Sequence, residues 1–366
     1  MLTILDVPAS APSALQVLWL ILVAVLWIGF FFFEGFDFGV GMLIPFLGKT
    51  DQHRRLIINT VGPHWDGNEV WLLTAGGAMF AAFSGWYATL FSGLYLPLFL
   101  VLLGLIIRGV GFEYRSKHDT KRWRTTWDWL LAIGSFLPAL VFGVGFANFL
   151  KGLPVGPYTT AFGNQVTLYT GTFWGLFMPF CLIGGLMLVA LFVAHGSFFI
   201  ALKTRGEIHD RAQKYGTTIG IIAGVLTLVF VIWGNAAYHL PGQLGWLRAV
   251  AWITGIIAIV AVIFAIMMNN IKRDGWAFFG SSVATAMLVI MFFCHFYPGL
   301  GFDNSVNTGT PLDLTTASSS PMTLKIMTIA ACCMVPIVLI YTLISYLKVF
   351  RRRLSTDNIP EVTIAA

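Results

Sequence analysis

Ten residues of this chain, Gly62-Pro63-His64-Trp65-Asp66-Gly67-Asn68-Glu69-Val70-Trp71, set two carboxylates, an imidazole, an amide and two indoles in a run otherwise apolar enough to cross a bilayer. A carboxylate at mid-membrane costs about 2.5–3.5 kcal/mol on insertion scales, so such groups persist where they face protein, water or a cofactor. Glu34 and Asp37 form a second acidic pair in the preceding apolar run. A spacing of three puts Glu34 with Asp37, and Asp66 with Glu69, on one helix face each. The two runs are joined by a short segment and are expected to be antiparallel neighbours, so the four acids can meet in one polar patch. Carboxylates crowded in low dielectric can hold and pass protons. Proton relay is therefore one reading of Asp37, Asp66, Glu34 and Glu69, with His64 beside them. The other reading is structural: the acids bond a glycine-loosened backbone, or pair with Arg108 or His64.

Several further residues have two readings each. Trp65 offers a face on which a flat ring such as a quinone head can stack, or is an ordinary packed indole. His64, His195 and His295 lie in apolar runs as haem ligands or, more simply, as core or relay histidines. Arg108, Glu113 and Arg115 suit an ion-pair set at a membrane edge, or a phospholipid head-group site. Cys181, Cys294, Cys332 and Cys333 all lie in apolar runs without metal-site spacing and read as small apolar residues. Residues 30–33 are consecutive phenylalanines among 32 in the chain, a composition suited to lipid tails and helix partners.

The elements that must position these groups are membrane spans. Of 366 residues, 57% are hydrophobic and 10% charged, against about 25% charged in soluble domains. The net charge of +6 is carried by short loops between apolar runs, so it points to membrane topology and not to nucleic acid. About 20 apolar residues cross a bilayer, and nine such runs are expected, at 15–45, 57–83, 86–111, 126–150, 168–200, 213–236, 246–270, 275–298 and 322–347. The first and fifth are over-long and must tilt or project. Pro63 should kink the second. Nineteen of the 22 Lys and Arg fall on one side of this arrangement, which predicts the N-terminus outside and the C-terminus in the cytoplasm. Residues 1–13 carry Asp6 and no Lys or Arg, so no cleavable leader is expected. The outward loops at 151–167 and 299–321 are the longest, and the second suits a cap or subunit contact. No Walker-type loop is present. The stretch from Phe33 to Phe38 is echoed faintly from Ala194 to Phe199, as two four-span repeats plus a ninth span would produce.

The segments Gly35-Phe36-Asp37-Phe38-Gly39-Val40-Gly41-Met42, Pro63 to Trp71, Ala75-Gly76-Gly77-Ala78, Gly111 to Lys117 and Arg122 to Trp129 closely resemble subunit II of the cytochrome bd quinol oxidases. So do Gly134-Ser135-Phe136 and the stretch from Met322 to Tyr341. The resemblance implies an all-α integral membrane protein of nine transmembrane helices, as two four-helix bundles plus one peripheral helix. The first bundle would span 1–150 with the acid cluster and the second 151–300. Residues 301–366 would supply the outward loop, ninth helix and cytoplasmic tail. It implies transfer of electrons from membrane quinol to oxygen in a bacterial or archaeal cytoplasmic membrane. Haems b558, b595 and d would be ligated by subunit I, the heterodimer partner, and no catalytic or metal-ligating residue would lie in this chain. The resemblance places Asp37 near the inner end of a proton path, and Asp66 on that path. It places Trp65 against a structural quinone found in some members, and Trp71 near the mouth of an oxygen route. Small single-span accessory subunits, membrane quinol and lipids are the remaining partners it implies. The loop near 237–247 is shorter than in some members. From residues alone, a proton-coupled transporter with a glycine-broken first helix and a purely structural assembly subunit are the rival readings.

Overall fold

The computed structural model describes residues 11–159, 163, 165–240, 242–305, 307, 310–349 and 352–360; most of the leader-free stretch expected at 1–13, and Arg351 of the basic tail, lie outside these. The helices are α1 (Ala14–Leu47), α2 (Asp51–Val61), α3 (Trp65–Ala82), α4 (Ser84–Gly93), α5 (Tyr95–Tyr114), α6 (Lys121–Lys151), α7 (Pro179–Lys203), α8 (Glu207–Ala237), α9 (Gly245–Asn270), α10 (Asp274–Phe296) and α11 (Pro321–Ile344). Eight of them, α1, α5 to α10 and α11, are long and apolar enough to cross a membrane. The first is 34 residues long, about 50 Å at 1.5 Å per residue, and so overruns a hydrocarbon core of about 30 Å.

Two expected spans are interrupted, and a third starts later than expected. The second is two helices, because Pro63 stops the ladder at Gly62 and α3 restarts from His64. The amphipathic α2 precedes the break, and α3 has only 18 residues. The third is broken at Leu94 into α4 and α5, since Pro97 has no N–H for the Gly93 carbonyl. The fifth does not begin at 168: residues 165–169 are strand, and the helix starts at Pro179, where a missing N–H costs nothing.

Strands β1 (Leu153–Thr159), β2 (Gln165–Tyr169) and β3 (Phe302–Asp303) form one small sheet in the order β2-β1-β3. The β1–β2 pair is antiparallel with Val155 opposite Tyr169, and β1–β3 is parallel with Leu153 opposite Phe302. The two long loops are thereby tied together. The second also covers the α3–α4 corner, where Gly85 N donates to Ala317 O at 3.1 Å and Ser319 N to Ala82 O at 2.9 Å. A cap or a subunit contact was expected of this loop, and within the chain it lies over this corner.

Close backbone approach sets the register of the helices. A Cβ on Gly39 of α1 would strike the backbone of α7 at Phe192, and one on Gly196 would strike the backbone of α1 at Gly39. The stretches that echo one another in sequence therefore cross one another. A Cβ on Gly134 of α6 would likewise meet Gly104 O and Arg108 N of α5. The surrounding core is aromatic: Trp27 meets Phe30, Phe142 and Phe146 edge-on at centroid distances of 5.5, 5.7 and 4.9 Å.

The basic end is clamped by buried ion pairs. Asp128 of α6 takes Arg54 Nη1 at 2.7 Å and Arg115 Nε at 2.5 Å, while Asp51 takes Arg115 Nη2 at 2.9 Å and Arg124 Nη1 at 2.6 Å. Two carboxylates thus join α2, α5 and α6. Losing one partner of a buried pair costs about 3–5 kcal/mol. Asp128→Asn is therefore expected to lower the thermal unfolding temperature of the purified complex by several degrees. Gly196→Val should cut the yield of assembled protein several-fold, whereas Gly275→Ala, with open space beside it, should leave yield unchanged in membrane quantitation.

Candidate functional site

Arg108 is at the centre of the acid patch. It lies in an apolar stretch of α5 and its side chain is completely buried. Its Nη1 is 2.6 Å from Glu34 Oε1 and 3.8 Å from Glu69 Oε2, and its Nη2 is 3.8 Å from Asp37 Oδ2. The rings of Phe38, Trp65 and Phe112 surround the guanidinium at 5.1, 5.8 and 5.3 Å, so its faces are held by π clouds. The Glu34 contact is short enough for an ion pair yet is not aligned as a hydrogen bond, and Asp37 Oδ1 has no donor among the described residues. Three carboxylates share one guanidinium, so the site carries more acidic groups than fixed positive charge. That excess makes it able to hold or release a proton without dismantling the ion pair.

Helix geometry explains the convergence. Glu34 and Asp37 share the buried face of α1, as their spacing requires. The break at residues 62–64 starts a fresh helix whose first turns present Asn68 and Glu69 towards α1 and α5. Asn68 Nδ2 donates to Asp37 Oδ2 at 2.7 Å, and Asn68 Oδ1 accepts from Tyr346 Oη at 2.6 Å. His64 Nδ1 is 3.4 Å from Asn68 Nδ2, and its ring lies 4.8 Å from that of Tyr346.

Glu34, Asp37, Glu69 and His64 are thus brought together, and Asp66 is not. Asp66 is exposed in the first turn of α3, one turn before Glu69. The ion-pair set expected of Arg108, Glu113 and Arg115 is corrected. Arg108 belongs to the buried acids, Arg115 pairs with Asp51 and Asp128, and Glu113 is exposed. A single Arg amid apolar neighbours demands a counter-charge, and that signal identifies its role. Asn68 and Tyr346 were not singled out by sequence reasoning, because an amide and a phenol are common packing residues.

Trp65 packs against Phe112 at 5.1 Å and forms one wall of the Arg108 site. Trp71 stacks on Phe33 at 5.3 Å and fills the space beside Gly29. The other two intramembrane histidines have structural partners. His195 uses both ring nitrogens, on Ser281 Oγ at 2.7 Å and Phe32 O at 3.1 Å, and His295 Nε2 meets Asn235 Oδ1 at 3.0 Å. Among the described residues, no three His, Cys, Asp or Glu form a group able to hold a metal ion. Outside the spanning segments, His53 of α2 lies 3.7 Å from Glu207, and burial lowers its pKa against that pull.

Separate from the acids is an apolar cavity of about 790 Å³ between α3, α4, α5, α6 and α10, lined among others by Trp27, Met79, Trp86, Tyr87, Phe142 and Phe146. Trp65 does not line it. Trp86 Nε1 is a buried donor with no acceptor among the described residues.

Residues 15–349 match the family described as cytochrome bd terminal oxidase subunit II. The chain is 37% identical over 373 residues to cytochrome bd-I ubiquinol oxidase subunit 2 of Escherichia coli strain K12, covering 94% of this chain and 97% of that one. It is 38% identical to cytochrome bd ubiquinol oxidase subunit 2 of Bacillus subtilis strain 168, covering 94% and 98%. Its fold matches a chain of the bd oxidase structure from Geobacillus thermodenitrificans with a TM-score of 0.69, at 16% identity, over 92% of this chain and 99% of that one. Full-length likeness of this kind sets the transporter reading aside: the chain belongs to the cytochrome bd terminal oxidase subunit II family and is a multi-pass membrane subunit of an oxidoreductase complex.

Proposed function

We propose that this chain is the non-haem-ligating subunit of a quinol:oxygen oxidoreductase and that it conducts protons towards haem held by subunit I. The observation that carries this reading is the buried set of Glu34, Asp37 and Glu69 around Arg108. Asp37 and Asp66 are the relay groups, with Glu34, Glu69 and His64 assisting. Asp66 stands at the exposed end of the set, where a proton can pass to the partner subunit. Trp71, packed on Phe33, borders the route for oxygen.

The same reading gives α3 a spanning role, which with the eight long apolar helices makes nine spans. Residues 1–150 and 151–300 form two bundles, and α11 is peripheral. The excess of Lys and Arg at one end puts the C-terminus in the cytoplasm and the N-terminus outside. Haems b558, b595 and d belong to subunit I; His195 and His295 here already bond within the chain. Membrane lipids and small single-span subunits cover the remaining apolar faces.

A structural quinone fits the apolar cavity better than it fits Trp65. The volume suits an isoprenoid chain, and the buried Trp86 Nε1 offers a donor to a carbonyl oxygen. A bound quinone supplies a rigid apolar filling there. This chain's residues exclude water around it and orient its head.

Asp37→Asn keeps the shape and the Asn68 contact while removing the exchangeable proton. It is expected to lower quinol-driven oxygen consumption at least ten-fold, about 1.4 kcal/mol or more in barrier, with the haem absorbance unchanged. Asp66→Asn should slow turnover less, also without loss of assembly. Parent-like rates in both variants would leave the purely structural reading standing. Gly145→Phe should project into the cavity, since Gly145 lines it with open space beside it. Quinone extracted per complex should then fall well below one, and an unchanged ratio removes the quinone from this cavity.

A further inference from the structure

The last helix is held to the rest of the chain at its two ends. At one end Trp19 Nε1 donates to Leu324 O at 3.2 Å and Thr328 Oγ1 at 3.1 Å. Leu324 at that end is the one buried residue of α11, and most of the apolar side chains that follow it along the helix are exposed. At the other end a wider turn, Ser345–Val349, carries Tyr346 inward. Its ring packs on His64 at 4.8 Å and Phe33 at 5.3 Å, and its hydroxyl reaches Asn68.

Beyond that turn, residues 352–360 run as a strap across the basic end. Arg353 Nη2 donates to Asp274 Oδ2 of α10 at 3.0 Å. Leu354 pairs with the α7–α8 connection: its N–H donates to Lys203 O at 2.7 Å, and Arg205 N donates to its carbonyl at 2.9 Å. Gln52 Nε2 of α2 donates to Thr356 O at 3.1 Å and Ile359 O at 2.9 Å, and Arg55 Nη1 donates to Pro360 O at 2.7 Å. Ile359 is buried in the apolar cluster that contains Leu56, Ile57 and Val61 of α2. Helix α2, the end of α7, the α7–α8 connection and the start of α10 therefore anchor residues 352–360.

Asn68 is a two-ended group whose orientation matters. A carboxylate only accepts hydrogen bonds, so Asp37 requires the amide nitrogen, and the amide oxygen must then face a donor. Tyr346 Oη is that donor. Without it the buried oxygen loses its partner and the amide can turn, presenting oxygen to carboxylate. We propose that Tyr346 is a positioning residue for Asp37, acting through Asn68, and that the strap 352–360 holds it in place. The proposal rests on the reading of Asp37 as a relay group. The charged and titratable groups facing this assembly are Glu34 from α1, His64 and Glu69 beside and on α3, Arg108 from α5, Lys203 at the end of α7 and Tyr341 of α11.

The test uses the complete haem-loaded complex with Tyr346→Phe, Asp37→Asn, the double variant and Arg353→Ala. Quinol-driven oxygen consumption is followed as a function of pH and of quinol concentration, with the haem spectrum as a check on assembly. Tyr346→Phe is expected to lower kcat three- to ten-fold with KM for quinol unchanged, and to move the pH–rate profile by at least half a unit. It should add nothing on the Asp37→Asn background. Arg353→Ala, which loosens the strap at a distance, should shift the profile in the same direction by less, and it keeps the question open to measurement where Tyr346→Phe assembles poorly. A slow Asp37→Asn with a parent-like Tyr346→Phe overturns the positioning role alone. Losses that add fully in the double variant mean general damage and overturn it too. A parent-like Asp37→Asn overturns the relay reading, and this inference with it.

Discussion

A guanidinium buried with three carboxylates is the constraint on which the rest of this structure depends. The side chain of Arg108 is completely buried. Its stability there requires anionic partners within reach and little access for competing solvent. Glu34 supplies the close contact, and Asp37 and Glu69 stand farther off. Those three come from two helices remote from α5 in sequence, so satisfying one side chain fixes the relative placement of α1, α3 and α5. The aromatic rings of Phe38, Trp65 and Phe112 fill the remaining directions with groups that tolerate a cation.

Such a cluster demands helices closer than bulky side chains allow. Gly104 and Gly134 let α5 and α6 touch at the turn that bears Arg108, and Gly39 with Gly196 lets α1 and α7 cross next to Asp37. In a bilayer, where lipid is as apolar as leucine, association relies on close packing and polar contacts. This chain uses both within a few residues of each other. The clamp at the basic end repeats the same chemistry in more polar surroundings: Asp51 and Asp128 are shared among Arg54, Arg115 and Arg124.

The architecture was largely legible in the sequence, because apolar runs and acidic spacing report on one helix at a time. Glu34 and Asp37 on one face of α1, and the break at Pro63, follow from periodicity and proline geometry. Two kinds of feature were not legible. The ends of spans three and five were misplaced, since hydropathy alone does not distinguish a strand at 165–169 or a helix break at Leu94 from a continued helix. Side-chain direction between elements was the second. Asp66 shares a spacing with Glu69, yet Glu69 reaches Arg108 and Asp66 faces outward. Arg108 could be read either as a partner of the acids or as part of a membrane-edge set with Glu113 and Arg115, and only its contacts decide between them. Tyr346 sits 278 residues from Asn68, and nothing in a local pattern connects them.

That long-range link gives the site its closing element. Asp37 on the first helix is oriented by Asn68 from the helix after the proline break, and Asn68 by Tyr346 beyond the last helix. The two ends of the fold therefore meet at one carboxylate. Residues 352–360 are anchored at the basic end by α2, the end of α7, the α7–α8 connection and the start of α10. Arg108 holds Glu34 at 2.6 Å and leaves Asp37 at 3.8 Å, so the nearest partner of Asp37 is the Asn68 amide at 2.7 Å, whose orientation depends on a single phenol.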